Sequence, residues 1–133
     1  MKKLIKLVLM ISVLAFVFTG CRTSTLQNVN DSTFVPTNVK QVNLDNVARA
    51  IIRAGATLGW NMKREKEGEI IGTLYLRDHM AQVRIPYTTN KYSILYNDST
   101  NLKYDAAQNI IHSNYNGWIQ NLNKAIQIQL GLM

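Results

Sequence analysis

Three stretches between residues 70 and 96 alternate apolar and polar side chains so regularly that they constrain the fold more than anything else in the chain. Ile70, Gly72, Leu74 and Leu76 share one face of the first; Ala81, Val83, Ile85 and Tyr87 share one face of the second; Tyr92, Ile94 and Tyr96 share one face of the third. A period of two is the mark of a strand buried on one side. A two-residue turn at Asp78 and His79 sets Leu76 opposite Ala81, Leu74 opposite Val83 and Gly72 opposite Ile85. A second turn around Thr89 and Asn90 sets Tyr87 opposite Tyr92, Ile85 opposite Ile94 and Val83 opposite Tyr96. A slip of one residue would send every large apolar side chain to the other face, so two separate turns agreeing on one face predict a three-stranded antiparallel meander. Pro86 lacks the N–H that a middle strand donates and marks a bulge or the end of its strand.

The reverse face carries Ile71, Thr73, Tyr75, Arg77, Met80, Gln82, Arg84, Leu95 and Asn97. It reads in two ways. As a binding face it offers Arg84 as a charge-assisted donor and Tyr75 as an aromatic platform. As an ordinary face it is solvated, with scattered apolar residues, or covered by the loop that follows.

A charged turn over 63–68 precedes the meander, and helical spacing flanks it. Leu44, Val47, Ala48, Ile51, Gly55 and Leu58 predict a helix over 44–58, capped by Asn43 and stopped by Gly59, with Trp60 folding back over Gly55. Tyr115, Trp118, Ile119, Leu122, Ala125 and Ile126 predict a second helix from Ser113 to Gly131. Residues 98–112 lack periodicity and read as a long loop, pinned by Leu102, Tyr104, Ile110 and Ile111. The expected fold is therefore α+β, in the order helix, three-stranded antiparallel β-meander, helix, with both helices packed on one face of the sheet. It forms a single globular domain over 44–133.

The other end of the chain carries an address. Lys2, Lys3 and Lys6 precede an apolar run over 7–18, and Phe18, Thr19 and Gly20 precede Cys21, the single cysteine. These are the parts of a secretory signal over 1–20. The Phe-Thr-Gly-Cys sequence resembles the lipobox of bacterial lipoproteins, with Phe18 where Leu is usual, and implies Cys21 as the lipidation site. An uncleaved membrane helix and a free thiol are the alternatives, and the run is shorter than the roughly 18–20 residues a span needs. Several acyl chains, of palmitate type, would anchor the protein durably, since each buried methylene contributes about 0.8 kcal/mol. Resemblance to lipoproteins of Gram-negative bacteria further implies sorting to the outer membrane, facing the periplasm, because Arg22 rather than Asp follows the cysteine. Residues 21–43, rich in Ser, Thr, Asn and Gln with Pro36, read as a flexible tether with a mean span of roughly 25 Å. Phe34 and Val35 are candidates for a short docked edge segment.

The formal net charge of +7 falls to +4 when the three leader lysines leave. That is mild, and it argues against nucleic acid as a partner while allowing weak attraction to anionic headgroups. A lone cysteine excludes an internal disulfide. No phosphate-binding glycine loop, zinc-binding helix motif or nucleophile elbow is present. His79 and His112 could share a metal completed by Asp78 or Asp98, but turn and capping roles suit them better. A hydrolytic grouping of Ser99, Asp98 and His112 requires a geometry that sequence does not give. The reading is of a non-enzyme with neither cofactor nor metal.

AIIRAGATLGW (50–60), GEIIGTLYLRDHMAQVRIPY (68–87), YSILYNDSTNLKY (92–104) and IHSNYNGWIQNL (111–122) together resemble a family of small Gram-negative lipoproteins with no established activity. The likeness covers roughly 44–130 plus the lipobox. It draws attention to Arg77, His79, Asn101, Tyr104, His112, Tyr115, Asn116 and Trp118. With the sheet face, this gives Tyr75, Arg77, Arg84, Asn101, Tyr104 and His112 as candidate binding residues. The expected role is a protein-binding or scaffolding module for another envelope protein, attached to the membrane through an N-terminal lipid. The alternative is a binder of a glycan, peptide or lipid fragment in a cleft between the 98–112 loop and the sheet.

Overall fold

The structure is a computed structural model and describes residues 22–38 and 40–133; the signal segment and Cys21 lie outside the described residues. The described chain runs β1 (Thr23–Thr25), β2 (Val29–Thr33), α1 (Leu44–Thr57), β3 (Asn61–Lys66), β4 (Glu69–Leu76), β5 (His79–Pro86), β6 (Lys91–Thr100), β7 (Ile110–His112) and α2 (Ser113–Gly131). The expected α+β fold of three strands between two helices is overturned. There are two sheets, a five-stranded antiparallel one in the order β2-β6-β5-β4-β3 and a two-stranded one joining β1 to β7.

The three alternating stretches are β4, β5 and β6, the middle of the larger sheet. The β5–β6 register is the expected one as far as the bulge, with Tyr87 opposite Tyr92 and Val83 opposite Tyr96. The β4–β5 register differs by two residues: Leu76 faces His79, Leu74 faces Ala81, Gly72 faces Val83 and Ile70 faces Ile85, so the turn is Arg77 and Asp78. Shifting one side of a ladder by two keeps every side chain on its face, which is why apolar pattern alone could not choose between the registers. Past Val83 a bulge at Asn97 moves β6 by one, so Gln82 faces Asp98 and Ala81 faces Ser99. This re-aims the end of β6. Pro86 is the last residue of β5.

The two edges of the sheet were not expected. The charged stretch 63–68, anticipated as a turn, supplies most of β3, and the supposed tether supplies β2. Lys63, Arg64, Glu65 and Lys66 on an outer strand are the usual protection against edge-to-edge pairing. The tether is corrected further by β1, where Thr23, Ser24 and Thr25 pair with His112, Ile111 and Ile110. Leu26 then buries its side chain and donates its N–H to the Asn109 carbonyl. Phe34 does dock, its ring centroid 6.4 Å from that of Tyr92, whereas Val35 is exposed.

Both helices form where expected. Asn43 accepts the Asn46 N–H at 2.8 Å and caps α1. At the other end Gly59 takes φ +84°, Trp60 donates to the Gly55 carbonyl and Gly59 to that of Ala56. These are the two hydrogen bonds of a Schellman stop. The same closure brings β3 under the helix: a β-carbon on Gly55 would lie 2.4 Å from the Met62 sulfur, and one on Gly72 2.9 Å from it. Glycine at both positions makes the slot that Met62 fills. Val47, Ala48, Ile51 and Ala54 of α1, with Ile119, Leu122, Ile126 and Leu130 of α2, share one core with Ile70, Ala81, Val83, Ile85 and Ile94 of the sheet.

Candidate functional site

The expected loop 98–112 is mostly structured. β6 extends to Thr100, Asp105 and Ile110 exchange backbone hydrogen bonds across a short turn, and β7 follows. Asp105 also accepts the Ala107 and Gln108 N–H groups, an Asx turn that makes this tip rigid. Asn101, Lys103 and Asn109 all have positive φ, which Asn tolerates and Lys does not favour. The pair at 101 and 103 turns the backbone so that Leu102 is buried between them and its carbonyl accepts from His112 N at 2.7 Å.

That geometry gathers Asn101, His79, Asp78 and His112 at one end of the sheet. His79 Nδ1 lies 2.8 Å from the Asn101 carbonyl, which makes it the donor. Asn101 Nδ2 donates to Asp78 Oδ2 at 2.8 Å, and the other Asp78 oxygen is 3.6 Å from His79 Nε2. The His79 ring centre is 6.4 Å from that of His112 and 6.5 Å from that of Trp118. Arg77 sits in the turn beside them with φ +57°. Tyr104 lies on the next segment, its ring stacked on Tyr96 at 4.1 Å, and Tyr96 meets Tyr115 edge-on at 5.8 Å. An open cleft of about 640 Å³ runs along Tyr96, Asp98, Asn101, Lys103 and Tyr104.

Tyr75 and Arg84 stand apart from this cluster, on the face of the sheet away from the helices. Tyr75 is exposed at the end of β4. Arg84, central in β5, lies 3.4 Å from the carboxylate of Glu69 on β4. Around it Gln82 bridges Thr73 and Asn97, donating to the first at 3.2 Å and accepting from the second at 2.6 Å. Arg84 is half-exposed, and its pairing leaves further guanidinium donors available.

The chemical groupings weighed from sequence do not assemble. Ser99 Oγ is 2.7 Å from the Tyr96 hydroxyl, and Asp98 accepts the Ser99 N–H, so neither is bonded to His112. Among the described residues no three His, Cys, Asp or Glu side chains are placed to hold a metal ion. His112 instead accepts the Asn114 N–H on Nδ1 at 3.1 Å and caps α2.

That cap works only with an unprotonated Nδ1. Burial, then the nearby charges of Lys103, His79 and Arg22, hold the His112 imidazole below its ordinary range. The unfolded chain therefore binds this proton first as the pH falls. The cap's contribution, about 1 kcal/mol, is fully present above the ordinary histidine pKa and is lost as the pH falls through the lowered one. Urea midpoints measured from pH 8 to pH 5 should drop for the native chain, and His112→Asn, a cap that does not titrate, should flatten that part of the profile.

Sequence reasoning missed the role of β1. Asn116 Nδ2 donates to Ser24 Oγ at 3.0 Å and to the Thr25 carbonyl at 2.8 Å, while its Oδ1 accepts from Gln27 N. Ser113 N and Oγ both reach the Arg22 carbonyl, at 2.9 and 3.3 Å. The available signal was Asn116 itself, an amide in the first turn of a helix, whose three bonds all go to the segment taken for a tether. Among the described residues no helix is long and apolar enough to cross a membrane. No protein-family model matches the chain, and no curated protein or solved structure matches it either.

Proposed function

We propose that this chain is a lipid-anchored envelope protein that binds another protein through the uncovered face of its five-stranded sheet. The resemblance to Gram-negative lipoproteins and the lipobox ending at Cys21 supply the first half of this reading, with the outer membrane as its place. The observation that carries the second half is the asymmetry of the sheet. Its inner face is sealed by both helices, whereas Ile71, Arg84 and Leu95 form a row across three strands of the outer face, each only partly covered. A mixed row of aliphatic groups around one arginine is the composition of a protein contact rather than of a catalytic pocket. The charged β3 edge disfavours strand addition at that side of the sheet.

A photo-crosslinking residue at Ile71, in intact cells, is expected to give a discrete protein adduct that Arg84→Glu removes, while the same probe at Lys124 on α2 gives none. Adducts of equal intensity from both positions, or none from Ile71 in a folded protein, would contradict the reading. A second reading, a small envelope ligand, has one observation in its favour: the open cleft beside Tyr96 and Tyr104. Saturable chemical-shift changes confined to Asp98, Asn101 and Lys103 on titration with peptidoglycan fragments would favour it.

A further inference from the structure

The attachment point and the folded domain leave almost no slack between them. Arg22 is hydrogen-bonded through its carbonyl to the start of α2, and Thr23–Thr25 is laddered to β7. Cys21 immediately precedes Arg22 in the chain. The end of the domain that holds Arg22 is the end that holds His112, His79 and the β4–β5 turn. Three cations, Arg22, Arg77 and Lys103, are exposed at this end, and neither Arg77 nor Lys103 makes an ion pair with a described residue. Two carboxylates are exposed there as well: Asp78, which accepts from Asn101 Nδ2, and Asp98, which lines the cleft beside Lys103. Tyr75 is 73% exposed and Leu76 45% exposed beside the turn, and the half-buried Trp118 lies against His79. Cations beside exposed aromatic and aliphatic groups suit the headgroup layer of a bilayer.

From this arrangement we infer that the domain is held upright with this end seated on an anionic phospholipid surface. The inference rests on lipidation of Cys21 and says how the anchored domain lies. Arg77, Lys103 and Arg22 contact lipid phosphates, and Tyr75 and Leu76 enter the interface beside them. The β3–β4 turn at Glu67 and Gly68 points away, roughly 25 Å further along the eight residues of β4. The outer sheet face then stands perpendicular to the membrane, open to a partner alongside.

The test uses the full lipidated chain in vesicles of phosphatidylethanolamine and phosphatidylglycerol, with a fluorophore at Arg77 or at Glu67 and a lipid-borne quencher at headgroup depth. Strong quenching at position 77 and little at 67 is expected, with Lys103→Glu/Arg22→Glu lowering the first at least about threefold while the protein stays attached. Equal quenching at the two positions overturns the proposal. Mass analysis of the membrane-derived N-terminus separates the two failures. Acylated Cys21 with equal quenching overturns the orientation alone, and an unacylated chain overturns the anchor and the orientation together.

Discussion

Deleting residues 22–33 is expected to cost the domain at least about 4 kcal/mol, a large share of the 5–15 kcal/mol that usually separates folded from unfolded chains. A tether could be shortened without such a penalty. Here the deletion removes the buried Leu26 and the ladder on β7, exposes Ile111, and strips β2 from the Ile94 and Tyr92 edge of β6. It also orphans the amide of Asn116 and the N–H of Ser113, which serve this segment. Chemical unfolding followed through Trp60, which is buried in the core, measures the effect. A midpoint unchanged by the deletion would mean that the segment does not hold to the domain. Asn116→Ala isolates the polar part of the same docking and should cost about 1–2 kcal/mol.

Tyr115→Ala should destabilise the protein by about 3–5 kcal/mol, the range for emptying a buried aromatic site. Tyr115 opens α2 and is 1% exposed, and its ring is the floor on which Tyr96 rests edge-on before Tyr104 stacks above. Removing it undermines the α2 start and the cleft-forming segment together. Tyr115→Phe keeps the ring and should lie within about 1 kcal/mol of the native chain near neutral pH. The two diverge in alkali. Burial raises the Tyr115 hydroxyl far above the ordinary tyrosine range, so it stays protonated in the folded state while the unfolded chain ionises. Its contribution is complete below about pH 10 and declines as the pH rises beyond that. The Phe variant should show a shallower alkaline loss in the same unfolding assay.

The elements that sequence made legible are those with one buried face. Ile70, Val83 and Ile85 reach zero exposure on the strands where alternation placed them, and Ile51 and Leu122 do so on the two helices. The strands that escaped are edges. In β2 and β3 only one side of the backbone ladders, most side chains are half-covered or exposed, and Val29–Thr33 and Asn61–Lys66 therefore carry no period. Charge on β3, useful against edge pairing, looked like a turn; Ser, Thr and Asn on β1 and β2 looked like a linker. The fault in the β4–β5 turn had a different origin. Asp78 and His79 have better turn chemistry than Arg77, yet Arg77 takes the positive φ and His79 opens β5, its ring bonded to the Asn101 carbonyl on the neighbouring segment.

The candidate residues divide in the same way. Asn101 and His112 came together because each is tied into the backbone, Asn101 by its left-handed turn and His112 by its cap. Tyr104 joined Tyr96 through stacking eight residues away in sequence, a pairing invisible to periodicity. Arg84 and Tyr75 were placed on the outer face by alternation, and they lie there.

Amide hydrogen exchange of the soluble chain beginning at Arg22 bears most directly on all of this. If the segment after the cysteine belongs to the fold, the N–H groups of Leu26 and Ser113, bonded to Asn109 and Arg22, should be protected to within about tenfold of those at the centre of β5. Exchange of the Leu26 amide at the rate of an unstructured peptide, with β5 still protected, would restore the tether and remove the geometric basis for a domain seated on the membrane.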